Sequence, residues 1–248
     1  MAATPTVVLD LEGATALVTG ATSGIGKAIA EVLGLHGAEV IVHGRDTARG
    51  ATVVDAIIGA GGKARFIGAD LGNTTEIDGL VGEAGAVDVL VNNAGFSWFG
   101  PTAELDVQTF DRIFAANVRA PYFLTAALAP TMAARGRGSI VSIVSMAGQV
   151  GLAGAAAYGA TKASLSSMTR SWAAEFSPAG VRVNAVAAGP VFTGGASHDR
   201  IEALGATTPM GRAAEPVEIA ELVAFLASAK AGYLTGAVIA VDGGRTAI

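Results

Sequence analysis

Cysteine is absent from all 248 residues. Disulfides, thiolate-bound metals and a cysteine nucleophile are therefore excluded. Imidazole is scarce too: His36, His43 and His198 are the whole supply, far apart and outside any H-E-x-x-H pair, so no metal site is expected. Aromatic residues are 6% of the chain and charged residues 15%, and the formal net charge is −5. That balance offers no basic footprint for nucleic acid or for an anionic membrane. Long apolar runs are missing as well. Ala120–Ala134 is interrupted by Pro121 and Pro130 and falls short of a membrane span. Met1–Asp10 lacks the basic start and apolar core of a secretory signal. The expectation is a soluble, cytoplasmic protein.

Hydrophobic residues make up 51% of the chain and glycines number 34. A chain this long and apolar can bury a large core, and its small side chains suit close packing of helices on a sheet. Short β-type runs alternate with helical patterns throughout. Ala14–Thr19 reads as a strand; Gly24–His36 then carries Ile25, Ile29 and Leu33 at helical spacing. Glu39–Val42, Ala64–Ala69, Val87–Asn92, Ser139–Val144, Val181–Val186 and Ala237–Val241 are further strands. Thr47–Gly59, Glu76–Glu83, Val107–Arg135, Ala155–Phe176 and Pro216–Ser228 read as helices. Such alternation predicts one α/β domain over residues 1–248, a doubly wound parallel sheet of about seven strands with helices on both faces. The stretch from Gly189 to Arg212, rich in Gly, Ala, Ser and Thr, follows the sixth strand and is read as a lid loop over substrate.

Between the first strand and its helix lies Thr19-Gly20-Ala21-Thr22-Ser23-Gly24-Ile25-Gly26. Glycines there let the backbone turn tightly and approach a pyrophosphate, while the helix N-terminus offers free N–H groups. The T-G-x-x-x-G-x-G spacing resembles that of the single-domain short-chain dehydrogenases/reductases, and further matches run from about Leu11 to Gly244. They are Asp70-Leu71, Asn92-Asn93-Ala94-Gly95, Gly189-Pro190-Val191-Phe192-Thr193, and Tyr233-Leu234-Thr235-Gly236 through Val241-Asp242-Gly243-Gly244. Ala188 departs from the pattern, since the family usually has proline before that glycine.

The resemblance implies a Rossmann-type fold and a nicotinamide cofactor. Gly20, Thr22, Ser23, Gly24, Ile25 and Gly26 would form its phosphate-binding turn, Asp70 and Leu71 would lie beside the adenine, and Asn93, Ala94 and Gly95 would border the cofactor. Gly189, Val191 and Thr193 would meet the nicotinamide amide. At the end of the second strand an NAD site usually places a carboxylate. Here Gly44 occupies that position and Arg45 follows. A guanidinium can grip a ribose 2′-phosphate, so NADP(H) is favoured over NAD; the competing reading is an arginine paired with Asp46.

Tyr158 and Lys162, four apart on one helical face, can form an acid/base pair, because a nearby ammonium stabilises phenolate. Ser145 ends the fifth strand, and its spacing to Tyr158 matches the family. By that resemblance Tyr158 exchanges the proton with the substrate oxygen and Ser145 positions that oxygen. Lys162 lowers the tyrosine pKa and holds the ribose, and Asn117 anchors a proton-relay water. Phe96, Trp98 and Phe99 could wall an apolar pocket with Ser145, Met146, Val150 and Phe192. Arg112, Arg119 and Arg170 are read as solvated charges, and Asp88 as bracing.

The expected activity is NADPH-dependent reduction of a ketone or aldehyde, reversible as a secondary-alcohol dehydrogenase. A 3-oxoacyl-[acyl-carrier-protein] reductase is the main competitor, with Arg135 and Arg137 as its docking patch. An NAD-dependent sugar or polyol dehydrogenase ranks behind it, and a non-catalytic NADP-binding regulator comes last. The resemblance also implies a homotetramer acting on a small molecule.

Overall fold

The computed structural model describes residues 10–248; the reading of residues 1–9 as no signal lies outside them. The elements in chain order are β1 (Thr15–Val18), α1 (Gly24–Leu35), β2 (Glu39–Gly44), α2 (Thr47–Gly59), β3 (Lys63–Gly68), α3 (Thr74–Ala84) and β4 (Val89–Asn92). There follow α4 (Val107–Phe114), a π turn (Ala115–Arg119), α5 (Ala120–Ala134), β5 (Gly138–Ser145), α6 (Ala156–Phe176), β6 (Val181–Ala188), α7 (His198–Gly205), α8 (Pro216–Ala227) and β7 (Val238–Val241).

The strands form one parallel sheet in the order β3-β2-β1-β4-β5-β6-β7. Its strands are apolar on both sides because both faces are covered. Along β1 and β2, Val18 and Val42 turn to one core with Ile29, Leu33, Ile57 and Val223 of α1, α2 and α8. Leu17 and Ile41, one residue earlier, turn to the other core with Leu80, Leu124, Leu128 and Leu165 of α3, α5 and α6. The period of two on a strand thus fills two cores from consecutive residues. The order reverses at β1, which pairs with both β2 and β4; ligands of open α/β sheets sit at the carboxyl ends beside such a switch. Among the described residues no helix is long and apolar enough to cross a membrane.

Two helical readings are refined. Val107–Arg135 is not one regular helix: at its middle the Ala120 N–H donates to the Ala115 carbonyl, five residues back. That single wide turn leaves the apolar periodicity nearly intact, and Asn117 lies buried inside it. Residues 189–212 are not wholly irregular either, since they contain α7. The excursion is pinned at its base, where Phe192 N–H donates to the Ala214 carbonyl at 3.0 Å and Ala214 N–H to the Pro190 carbonyl at 2.9 Å. Ala188 continues the sheet between Ser145 and Val241, so the departure from proline leaves the strand end ordered.

Candidate active site

The N-terminus of α1, beside the switch point, carries no side-chain cap. Helices α2, α3 and α4 are capped by the side chains of Asp46, Asn73 and Asp106. Ser23 at the start of α1 makes no such bond, and the first turn holds no acidic residue. Its unused N–H groups and the positive end of the helix dipole form a site for an anion. The glycine positions around it have no room for side chains. A Cβ on Gly26 would strike the Asn93 amide and the Gly20 carbonyl, and Gly20 itself adopts φ +65° with Ala94 against it.

Three side chains, those of Asn93, Thr19 and His43, hold that turn through long-range hydrogen bonds. Asn93 Nδ2 donates to the carbonyls of Thr19 and Gly20 at 2.8 and 3.1 Å. Thr19 Oγ1 donates to the Val91 carbonyl and accepts from the N–H groups of Asn93 and Ala94, each at 3.0 Å. His43, buried beneath, accepts the Gly20 N–H at Nδ1 (3.3 Å) and meets the Ala69 carbonyl through Nε2 (3.1 Å). That pairing makes Nε2 the protonated nitrogen, and burial lowers the His43 pKa to about 4, with the Ala69 bond and Asp70 pulling the other way. Sequence patterns gave Thr19 and His43 no role, because their partners lie across the sheet.

Gly44 ends β2, and a Cβ there would strike the Thr22 methyl. A carboxylate side chain at this position would require the Thr22 side chain to move. Arg45 beyond it is exposed and forms no hydrogen bond or ion pair among the described residues. Asp46, the partner considered for it, is taken by Arg49 at 2.7 Å. Asp70 is exposed, with Oδ1 accepting the Gly72 N–H at 2.9 Å, and Leu71 is buried beside it. From the far side, Thr193 reaches the turn: a Cβ on Gly24 would lie 3.0 Å from its Cβ.

Ser145 closes β5 at the same edge, while Tyr158 and Lys162 face it from α6. Close packing of backbone brings them together: a Cβ on Gly159 would lie 2.5 Å from the Ala147 carbonyl, and one on Gly148 2.8 Å from the Ala163 nitrogen. Lys162 is buried and its Nζ donates to the Ile143 carbonyl at 2.8 Å, with the ammonium 5.7 Å from the centroid of the Tyr158 ring. Burial lowers the Lys162 pKa to about 8. Burial raises the Tyr158 phenol above its usual value, and the hydrogen bond with Ser145 pulls it back down. The contact that opposes burial at the phenol is Ser145.

Asn117 spends its side chain on structure. Its Oδ1 accepts the Phe96 N–H at 3.1 Å, and its Nδ2 donates to the Phe96 carbonyl at 2.9 Å and to Thr161 Oγ1 at 3.1 Å. Its main-chain carbonyl is a different matter. Pro121, four residues on, has no N–H to give it.

Around the phenol, Phe99 packs on Tyr158 with ring centroids 5.6 Å apart, and Phe192 stacks on His198 at 4.6 Å. Met146 is buried directly after Ser145, whereas Trp98 and Val150 are half-buried. Arg112 stacks on Phe96 at 5.5 Å, so it is more than a solvated charge. Arg119 donates to the Gly72 carbonyl. Arg135 and Arg137 both face Asp88, at 3.5 and 3.4 Å, and Asp88 also accepts the Thr15 N–H at 3.2 Å. Asp88 therefore braces β1 and neutralises much of the supposed docking patch. His198, Asp199 and Glu202 cluster on the exposed face of α7, with nothing else there to mark an ion site.

Comparison with known proteins bears on this geometry. The model of the family described as enoyl-(acyl carrier protein) reductase matches residues 20–246. A solved structure described as a short chain dehydrogenase/reductase family protein is 48% identical, with a TM-score of 0.90, over 97% of this chain and 100% of that one. The cis-4-hydroxycyclohexanecarboxylate dehydrogenase of Sinomonas cyclohexanicum is 39% identical over 94% of this chain and 96% of its own. The angucycline C-6 ketoreductase LanV, solved with bound NADP, is 35% identical with a TM-score of 0.88, over 96% of this chain and 98% of its own.

Proposed function

The chain belongs to the short-chain dehydrogenase/reductase family of oxidoreductases acting on alcohols and ketones, and on that premise we propose that it is an NADP(H)-dependent carbonyl reductase, reversible as a secondary-alcohol dehydrogenase. The observation that carries the reading is the meeting of Ser145, Tyr158 and Lys162 at the strand ends, beside the uncapped start of α1.

The residues present fit a dinucleotide phosphate. Gly20, Gly24 and Gly26, with Thr22, Ser23 and Ile25 between them, form a cradle at a helix N-terminus, where backbone N–H groups would bind the pyrophosphate. The unpaired Arg45 would take the 2′-phosphate. Asp70 and Leu71 would border the adenine, Asn93, Ala94 and Gly95 the ribose, and Gly189, Val191 and Thr193 the nicotinamide amide. When bound, the nicotinamide supplies a hydride to the carbonyl carbon or receives one in reverse.

The chain's own groups handle the proton. As the carbon–oxygen double bond opens, its electron pair moves to oxygen, which takes a proton from Tyr158 Oη while Ser145 Oγ donates a hydrogen bond to it. The phenolate left behind lies beside the Lys162 ammonium, which stabilises it against the cost of burial. A water on the Asn117 carbonyl, which Pro121 leaves without its helical donor, would return the proton through Lys162. The pocket is walled by Trp98, Met146, Val150 and Phe192. The molecule is read as a cytoplasmic homotetramer; exposed Phe110, Tyr122 and Phe123 on α4 and α5 support association with further copies.

The test is a panel of ketones and alcohols assayed with NADPH and NADH separately, with Tyr158→Phe alongside. Turnover with NADPH is expected, reduced at least about a hundredfold in kcat by the substitution. Turnover of no ketone with either cofactor, or a Tyr158→Phe enzyme as fast as the parent, would refute the reading.

A further inference from the structure

Helix α7 is held to opposite walls of the cleft by its first turn. His198 stacks on Phe192 after β6, the rings 18° from parallel. Two residues on, the Arg200 guanidinium lies 4.9 Å from the centroid of Phe99 after β4. Phe99 is itself packed on Tyr158. Arg200 therefore stands two ring contacts from the reacting phenol.

Its charge is unspent. Arg49, Arg65, Arg135, Arg137 and Arg212 each face a carboxylate. Arg200 is exposed and makes no hydrogen bond or ion pair among the described residues. The acids of its own helix do not engage it: Glu202 lies 4.0 Å from His198, and Asp199 is unpaired. A guanidinium laid on a ring keeps its N–H edge available, and that edge matches a carboxylate with two parallel bonds. In a chain of net charge −5, a free cation two contacts from the phenol is what an anionic substrate would need.

Resting on the function proposed above, we infer that Arg200 selects the substrate: a ketone or secondary alcohol carrying a carboxylate a few bonds from the reacting carbon. The carboxylate sits in the Arg200 fork, the carbon skeleton lies against Phe99, and the carbonyl oxygen reaches Tyr158 and Ser145. Arg200 is a specificity-determining residue; the proton chemistry stays with Tyr158.

The experiment uses the full chain with saturating cofactor and a series of oxo acids differing in the separation of carboxylate and ketone, each beside its methyl ester. At the best separation the acid is expected to exceed its ester by about tenfold or more in kcat/KM. Arg200→Met, which keeps length and contact with Phe99, is expected to erase that preference through KM for the acid. Ester turnover should stay within about twofold, and Arg200→Lys should restore part of the preference. Equal use of acids and esters by the parent enzyme, or an equal loss on both in Arg200→Met, overturns the assignment while leaving the proposed activity standing. Turnover of neither acids nor esters overturns the activity and the assignment together.

Discussion

Asn117 in the π turn donates to the Thr161 hydroxyl at 3.1 Å, and that hydroxyl donates onward to the Tyr158 carbonyl at 2.7 Å. Two residues far apart in sequence thus fix the height of the tyrosine helix against the turn that widens beside it. The Asn117 and Thr161 side chains are buried, so each needs the other.

Thr161→Val removes that link while keeping the shape of the side chain. It leaves one Asn117 donor unmatched, and a stability loss of about 1–2 kcal/mol is expected by urea denaturation. A fall in kcat of about tenfold at unchanged cofactor affinity is expected too, because the phenol is displaced from its oxygen. Thr161→Ser should recover most of the rate. A valine variant with the parent kcat would show that the link has only a structural part.

Arg45 is unpaired and follows a glycine whose Cβ position lies against the Thr22 side chain. Arg45→Asp should therefore reverse the electrostatics at the 2′ position and little else. The ratio of kcat/KM with NADPH to that with NADH is expected to fall by about a hundredfold or more, with the melting temperature unchanged. Steady-state kinetics with both cofactors decide this; an unmoved ratio would place the 2′ group elsewhere.

Protonation of His43 opposes the folded state. Its pKa is about 4 when buried against an ordinary 6.5, so below 6.5 the unfolded chain binds the extra proton. The stability due to the neutral, bonded imidazole is complete above pH 6.5 and is lost progressively as the pH falls towards 4, about 3 kcal/mol in all. Urea midpoints measured across that window should decline more steeply for the parent than for His43→Gln, which has nothing to titrate there. Parallel slopes would contradict the buried, neutral assignment.

What could be read without the fold was whatever depends on short spacing. Tyr158 and Lys162 share a face because they are four apart on a helix, and a glycine turn between a strand and a helix has few uses. The alternation of strands and helices likewise led to a parallel sheet of seven strands. The helix inside residues 189–212 was hidden because Gly, Ala, Ser and Thr around it carry little periodicity. The π turn was hidden because one wide turn hardly disturbs a helical pattern.

The sequence by itself thus determined the fold class, the glycine cradle and the tyrosine–lysine pair, all consequences of local geometry. The tertiary structure decided that His43 and Thr19 clasp the cradle, that Thr161 ties Asn117 to the tyrosine helix, and that Arg200 reaches the phenol through Phe99. It also decided that burial raises the Tyr158 pKa while Ser145 opposes it. These depend on which strand ends become neighbours and on how completely water is excluded between them. Neither quantity is set by residues near one another in the chain.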